Sequence, residues 1–81
     1  MRIPRDLSAQ DLISALKKLG YEVTRQKGGH ARLTTIEEGE HHITVPMHKS
    51  LRIGTLAGIL GDVAEHFHIP REELLRRLFK I

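Results

Sequence analysis

Leu12, Ile13, Leu16 and Leu19 recur at three- and four-residue intervals, which gathers them on one face of a helix. Ser8 can accept from an orphan amide of the first turn, Asp11 favours that positive end, and Gly20 supplies a permissive stop. These signals predict a helix from about Ser8 to Leu19. The period then changes to two. Tyr21, Val23 and Arg25 alternate with Glu22, Thr24 and Gln26 until Gly28-Gly29; Ala31, Leu33 and Thr35 alternate with His30, Arg32 and Thr34. After the polar turn Glu37-Glu38-Gly39-Glu40, Ile43 and Val45 form a third run that Pro46 ends. Three strands joined by short turns predict an antiparallel meander. Leu56, Ile59, Leu60, Val63 and Phe67 return to helical spacing and predict a second helix from about Gly54 to His66. Gly58 and Gly61 weaken that helix, so close packing is expected at both. Pro70 suits the first turn of a last short helix with Leu74, Leu75 and Leu78 on one face.

Each long helix has one apolar stripe to bury, so both are expected on the same face of the sheet. The fold class is therefore α+β: a two-layer sandwich of order α-β-β-β-α plus a short C-terminal helix, an architecture shared with double-stranded-RNA-binding domains. The first hairpin decides what its open face carries, because a one-residue slip turns every side chain over. A two-residue Gly28-Gly29 turn would pair Lys27 with His30 and set Val23 opposite Thr34, away from Leu33. A three-residue loop would instead pair Val23 with Thr35 and Arg25 with Leu33, gathering Val23, Leu33, Ile43 and Val45 on one side. The second register is preferred on apolar grounds. It leaves Thr24, Gln26, His30, Arg32, Thr34, His42 and Thr44 on the open face.

Composition narrows the function. With 81 residues, 40% of them hydrophobic, the chain 1–81 is read as one domain. The absence of cysteine excludes disulfides, thiol catalysis and thiolate zinc sites, and agrees with the cytoplasm. The start Met1-Arg2-Ile3-Pro4-Arg5-Asp6 lacks the apolar run of a signal peptide, and no stretch of about 18 apolar residues occurs, so neither export nor a membrane partner is expected. A net charge of +3 favours an anionic partner mildly. Tyr21, Phe67 and Phe79 are the only aromatic residues, too few for a stacking platform, so any nucleic acid must be held through its backbone and polar groups.

The order of motifs resembles the HicA, or YcfA-like, toxin family from Asp11 to about His66. The resemblance is carried by Leu12-Ile13-Ser14-Ala15-Leu16-Lys17-Lys18-Leu19-Gly20-Tyr21, Arg25-Gln26-Lys27-Gly28-Gly29-His30, His42-Ile43-Thr44-Val45-Pro46-Met47-His48, and Ile53-Gly54-Thr55-Leu56 followed by Ile59-Leu60. It implies a double-stranded-RNA-binding-domain-like fold, metal-independent cleavage of messenger RNA without a cofactor, and neutralisation by a HicB-like antitoxin. It also implies that His30, after the turn glycine Gly28, is the catalytic histidine. Many relatives carry serine where this chain has Gly29.

The residues suit that chemistry. RNA can be cut by its own 2′-hydroxyl, which leaves the protein to move protons and stabilise charge on the phosphorus. An ordinary imidazole has both protonation states available near neutral pH. Lys27, Gly28, Gly29 and Arg32 surround His30 in sequence; Lys49 and Arg52, with the amino end of the second helix at Gly54-Thr55, are candidates for more distant phosphates. His42 and His48 are candidates for a second proton carrier. His41 and His42 should face opposite ways, so no metal is assigned. His66 and His68 read as surface residues near a helix end, and Arg71, Arg76 and Arg77 as a solvated helix face. A non-catalytic RNA-binding module and a purely protein-binding partner in a regulatory complex remain alternatives. DNA contact by this chain alone is not expected.

Overall fold

The computed structural model describes residues 3–80; Met1 and Arg2, part of the start read above, lie outside them. The order of elements is α1 (Ala9–Leu16), a 3-10 turn (Lys17–Leu19), β1 (Glu22–Lys27), β2 (His30–Thr35), β3 (His41–Pro46), α2 (Ile53–Phe67) and α3 (Arg71–Phe79). Ser8 caps α1 through a reciprocal box: its hydroxyl accepts from Asp11 N at 3.0 Å, and its own amide donates to the Asp11 carboxylate at 3.2 Å. The helix tightens before Gly20, whose φ of 82° ends it.

The sheet is antiparallel with order β1-β2-β3. Ala31, Leu33, Thr35, Ile43 and Val45 are buried on one face. There α1 lies toward β1, α2 toward β3, and α3 touches both helices. Leu12, Leu16, Leu56, Leu60, Val63, Leu74, Leu75 and Leu78 complete the core. Thr35, a buried polar residue, is fully used: it donates to Leu19 O at 2.9 Å and accepts from Glu37 N at 3.1 Å. The arrangement is an α-β-β-β-α sandwich of the double-stranded-RNA-binding-domain kind with a helix added at its C-terminal end.

The register of the first hairpin differs from the one preferred on apolar grounds. Lys27 pairs with His30 across a two-residue Gly28-Gly29 turn, followed by Gln26 with Ala31 and Arg25 with Arg32. A bulge at Thr24 then shifts the ladder, so that Val23 meets Leu33. The extra residue of a bulge turns a strand over without changing its turn. One bulge thus reconciles the tight turn with Val23 and Leu33 on the same face. Val23 sits at the sheet edge and keeps 42% of its surface exposed. Gln26 therefore leaves the open face, and Arg25 and Lys27 join it.

Of the two helix glycines, Gly61 faces only the guanidinium tip of the exposed Arg71 side chain, which can swing aside, so close packing does not require glycine there. Nothing approaches Gly58, so the packing expected there is not found.

Candidate nucleic-acid interface

Direct partners in an antiparallel ladder share a face, so the pairings divide the open face into three rows. Lys27, His30 and Pro46 form the row at the hairpin turn; Arg25, Arg32 and Thr44 form the next; Thr24, Thr34 and His42 form the third. Successive rows are two residues apart, about 6.7 Å at the usual strand rise. All these side chains are exposed apart from the partly covered Thr34 and Pro46.

The three rows differ in chemistry. In the third, a hydrogen-bonded chain crosses the whole sheet. His42 Nε2–H donates to Glu40 Oε2 at 2.7 Å, Thr34 Oγ1 donates to His42 Nδ1 at 2.8 Å, and Thr24 Oγ1 donates to Thr34 Oγ1 at 2.9 Å. Glu22, opposite Thr34, adds a second carboxylate at this end. The first two rows have no such closure. Among the described residues Arg77–Glu73 is an ion pair, His41 and His42 contact the carboxylates of Asp62 and Glu40, and none of these contacts involves Arg25, Lys27 or Arg32. The face is thus basic at the turn and acidic at its other end.

Lys27, Gly28, Gly29, His30 and Arg32 are brought together at the turn end. Gly28 has φ of 58°, while Gly29 lies outside the left-handed region; a positive φ at the first central residue alone is the pattern of a type II′ hairpin. Met47 N donates to Gly29 O at 2.7 Å, which ties the exit of β3 to the turn beside His30. Lys49 and Arg52 follow on that connection and lie off the three rows. The connection is pinned to the N-terminal segment by Ala9 N donating to His48 O (3.0 Å) and Leu51 N to Leu7 O (2.7 Å). His48 and Lys49 line a shallow groove with Ser8, Ala9, Gln10 and Met47. Arg52 is the N-cap residue of α2 and makes no side-chain capping bond. His42 sits two rows from His30, about 13 Å along the strand, and both its ring nitrogens are engaged, so it does not share a reacting group with His30.

Arg25 escaped the sequence reading because the preferred register put it opposite Leu33. The signal that could have found it is the tolerance of edge strands for bulges.

A second cluster lies on the helix side of the sheet. Tyr21 donates its hydroxyl to His41 Nδ1 at 2.7 Å, and His41 Nε2–H donates to Asp62 Oδ1 at 3.2 Å. Burial, then the nearby Asp62 charge, push the Tyr21 hydroxyl well above its ordinary pKa. His66 stacks on His41 with ring centroids 4.3 Å apart and donates through Nε2 to Glu37 O at 2.9 Å. It is therefore a structural clamp between α2 and the β2–β3 turn rather than the plain surface residue the sequence suggested. His68 ends α2 in a left-handed conformation. Among the described residues no group of three or more His, Asp or Glu side chains is arranged to hold a metal, and no helix is long and apolar enough to cross a membrane.

The domain has two layers and three strands, with one sheet face covered by helices and the other exposing a basic patch around a histidine. The chain belongs to the HicA toxin family of bacterial toxin-antitoxin systems, whose family model matches residues 9–64. No curated protein and no solved structure matches it.

Proposed function

We propose that the chain 1–81 acts as one toxin domain, a metal-independent endoribonuclease that cleaves messenger RNA in the cytoplasm and is silenced by a HicB-like antitoxin. The observation that carries this reading is the placement of His30: exposed at the hairpin turn, opposite Lys27 and one row from Arg32, in a chain of the HicA family. The RNA 2′-hydroxyl attacks the adjacent phosphorus, the bond to the 5′-oxygen breaks, and the products are a 2′,3′-cyclic phosphate and a 5′-hydroxyl. His30 takes the proton from the nucleophile or gives one to the leaving oxygen, and water serves the other transfer; such catalysis is typically worth about 100- to 10,000-fold. Arg32 and Lys27 hold the phosphate and offset its developing charge, and Gly28 and Gly29 let the RNA backbone approach. Lys49 and Arg52 meet more distant phosphates, and His48, next to the Met47 tied to the turn, is the candidate for a second proton carrier.

The antitoxin is expected to present acidic or polar groups to His30, Arg32 and Lys27, since a charge-matched cover both finds and blocks this face. The test is cleavage of end-labelled messenger RNA in excess EDTA by the protein and by His30→Ala. Cleavage that survives EDTA, leaves cyclic phosphate ends and falls at least 100-fold in the variant is expected. Intact RNA from folded, antitoxin-free protein would sink the enzyme reading and favour a module that only binds RNA.

A further inference from the structure

We infer that Arg25 and Arg32 together form a phosphate clamp, with Arg25 as a binding residue that positions the RNA strand beside His30. The inference rests on the nuclease reading for the identity of the anion, but its argument begins in the sheet. Arg25 and Arg32 are direct partners across β1 and β2. Like charges placed directly opposite destabilise a sheet, whereas opposite charges stabilise it. Here neither guanidinium has a hydrogen-bond or ion-pair partner among the described residues, although the adjoining Thr24, Thr34, His42 and Glu40 are hydrogen-bonded to one another.

The tight Gly28-Gly29 turn creates the opposition, because the longer loop would have sent Arg25 to the helix side. Lys27, two residues along β1, adds a third cation in the next row next to His30. Two planar guanidiniums flanking one site suit a phosphodiester, whose two free oxygens can accept the two parallel N–H donors of a guanidinium fork, one each. Carboxylates at the far end, Glu22 and Glu40, repel the same backbone and limit the track to the turn half of the face.

The decisive experiment measures affinity for a mixed-sequence 2′-O-methyl RNA oligonucleotide, which lacks the attacking hydroxyl, as a function of salt. Arg25→Gln is expected to weaken binding and to flatten the slope of log affinity against log salt by about 0.7, the change for one lost contact to a single strand. Arg25→Lys should keep the slope and weaken binding less. Thermal melting without RNA should show Arg25→Gln at or above the parent, since a repulsion has been removed. Unchanged affinity and slope in Arg25→Gln, or an equal loss of slope in Arg25→Lys, would overturn the clamp. Cleavage of unmodified RNA by the parent, run in parallel, separates the two ideas. Binding without cleavage would sink the nuclease and leave the clamp standing, whereas cleavage with an Arg25-independent salt slope would sink the clamp alone.

Discussion

Gly28 and Gly29 are adjacent, exposed and free of neighbours within 4 Å of a notional Cβ, yet only Gly28 occupies the left-handed region. An L side chain there is strained by about 1–3 kcal/mol, whereas at Gly29 it meets neither strain nor a clash. Urea unfolding should therefore show Gly28→Ala destabilised by roughly that amount and Gly29→Ser within about 0.5 kcal/mol of the parent, as for an ordinary surface substitution. A large loss in Gly29→Ser would show that the turn is not of the type described. A stable Gly29→Ser variant then allows a serine directly before His30 to be tested for activity without a folding penalty. Tyr21 offers a second residue-scale test. Its raised pKa means that the folded state holds the phenolic proton more tightly than the unfolded chain does. The resulting stability is complete below the unfolded value of about 10 and is lost as pH rises above it toward the folded pKa. Tyr21 is the only tyrosine and there is no tryptophan, so absorbance of the phenolate reports this one group. Ionisation should coincide with alkaline unfolding instead of preceding it near pH 10, and Tyr21→Phe should remove that part of the pH dependence.

At the scale of elements, the helices were legible because their signals are local: the Ser8–Asp11 box and the apolar spacing fix α1 without reference to anything else. The first hairpin was legible only in part: apolar surface demands Val23 and Leu33 on one side, and an unbroken ladder meets that demand only with the longer loop. A bulge answers the same demand with a shorter turn, and nothing local at Thr24 announces it. The site inherits that limit: His30 was in view as the residue after Gly28-Gly29, while Arg25 depended on register. His66 was missed for a related reason, because its stacking on His41 joins α2 to a strand distant in sequence. The contribution of α3 is similarly non-local. Leu74 and Leu78 are almost wholly buried, although α3 lies beyond residues 9–64 that define the family match. Lys18 Nζ also donates to Leu78 O at 2.8 Å, fixing the end of α3 to the first helical segment. Leu74→Ala should lower stability by roughly 2–5 kcal/mol, the range for a buried leucine. RNA cleavage per folded molecule should be unchanged, because α3 is on the opposite side of the sheet from His30; a loss of specific activity at full folding would place α3 in the functional surface.

The whole molecule separates its two tasks by layer. Helices and core occupy one side of a thin sheet, and Arg25, Lys27 and Arg32 occupy the other, so a ligand on that face need not reorganise the core. A protein of this size has a small margin of stability, which makes any ligand that binds only the folded state visible in its melting. At a free oligonucleotide concentration 100 times the dissociation constant, the gain is about 2.7 kcal/mol. For a domain of 60–100 residues each kcal/mol moves the midpoint by about 4–8 °C, so the non-cleavable RNA should raise melting by more than about 10 °C. Because the patch acts through charge on an exposed face, the shift at fixed oligonucleotide concentration should shrink steeply between about 50 and 200 mM salt. Melting of the free protein should change far less, since its buried contacts are apolar and Arg25, Lys27 and Arg32 lie outside its ion pairs. A ligand-induced shift that persists at high salt would instead place the contact on apolar surface, for which Ile36, 82% exposed in the β2–β3 turn, Ile53, 49% exposed at the start of α2, and Val23 at the sheet edge are the large exposed residues among those described.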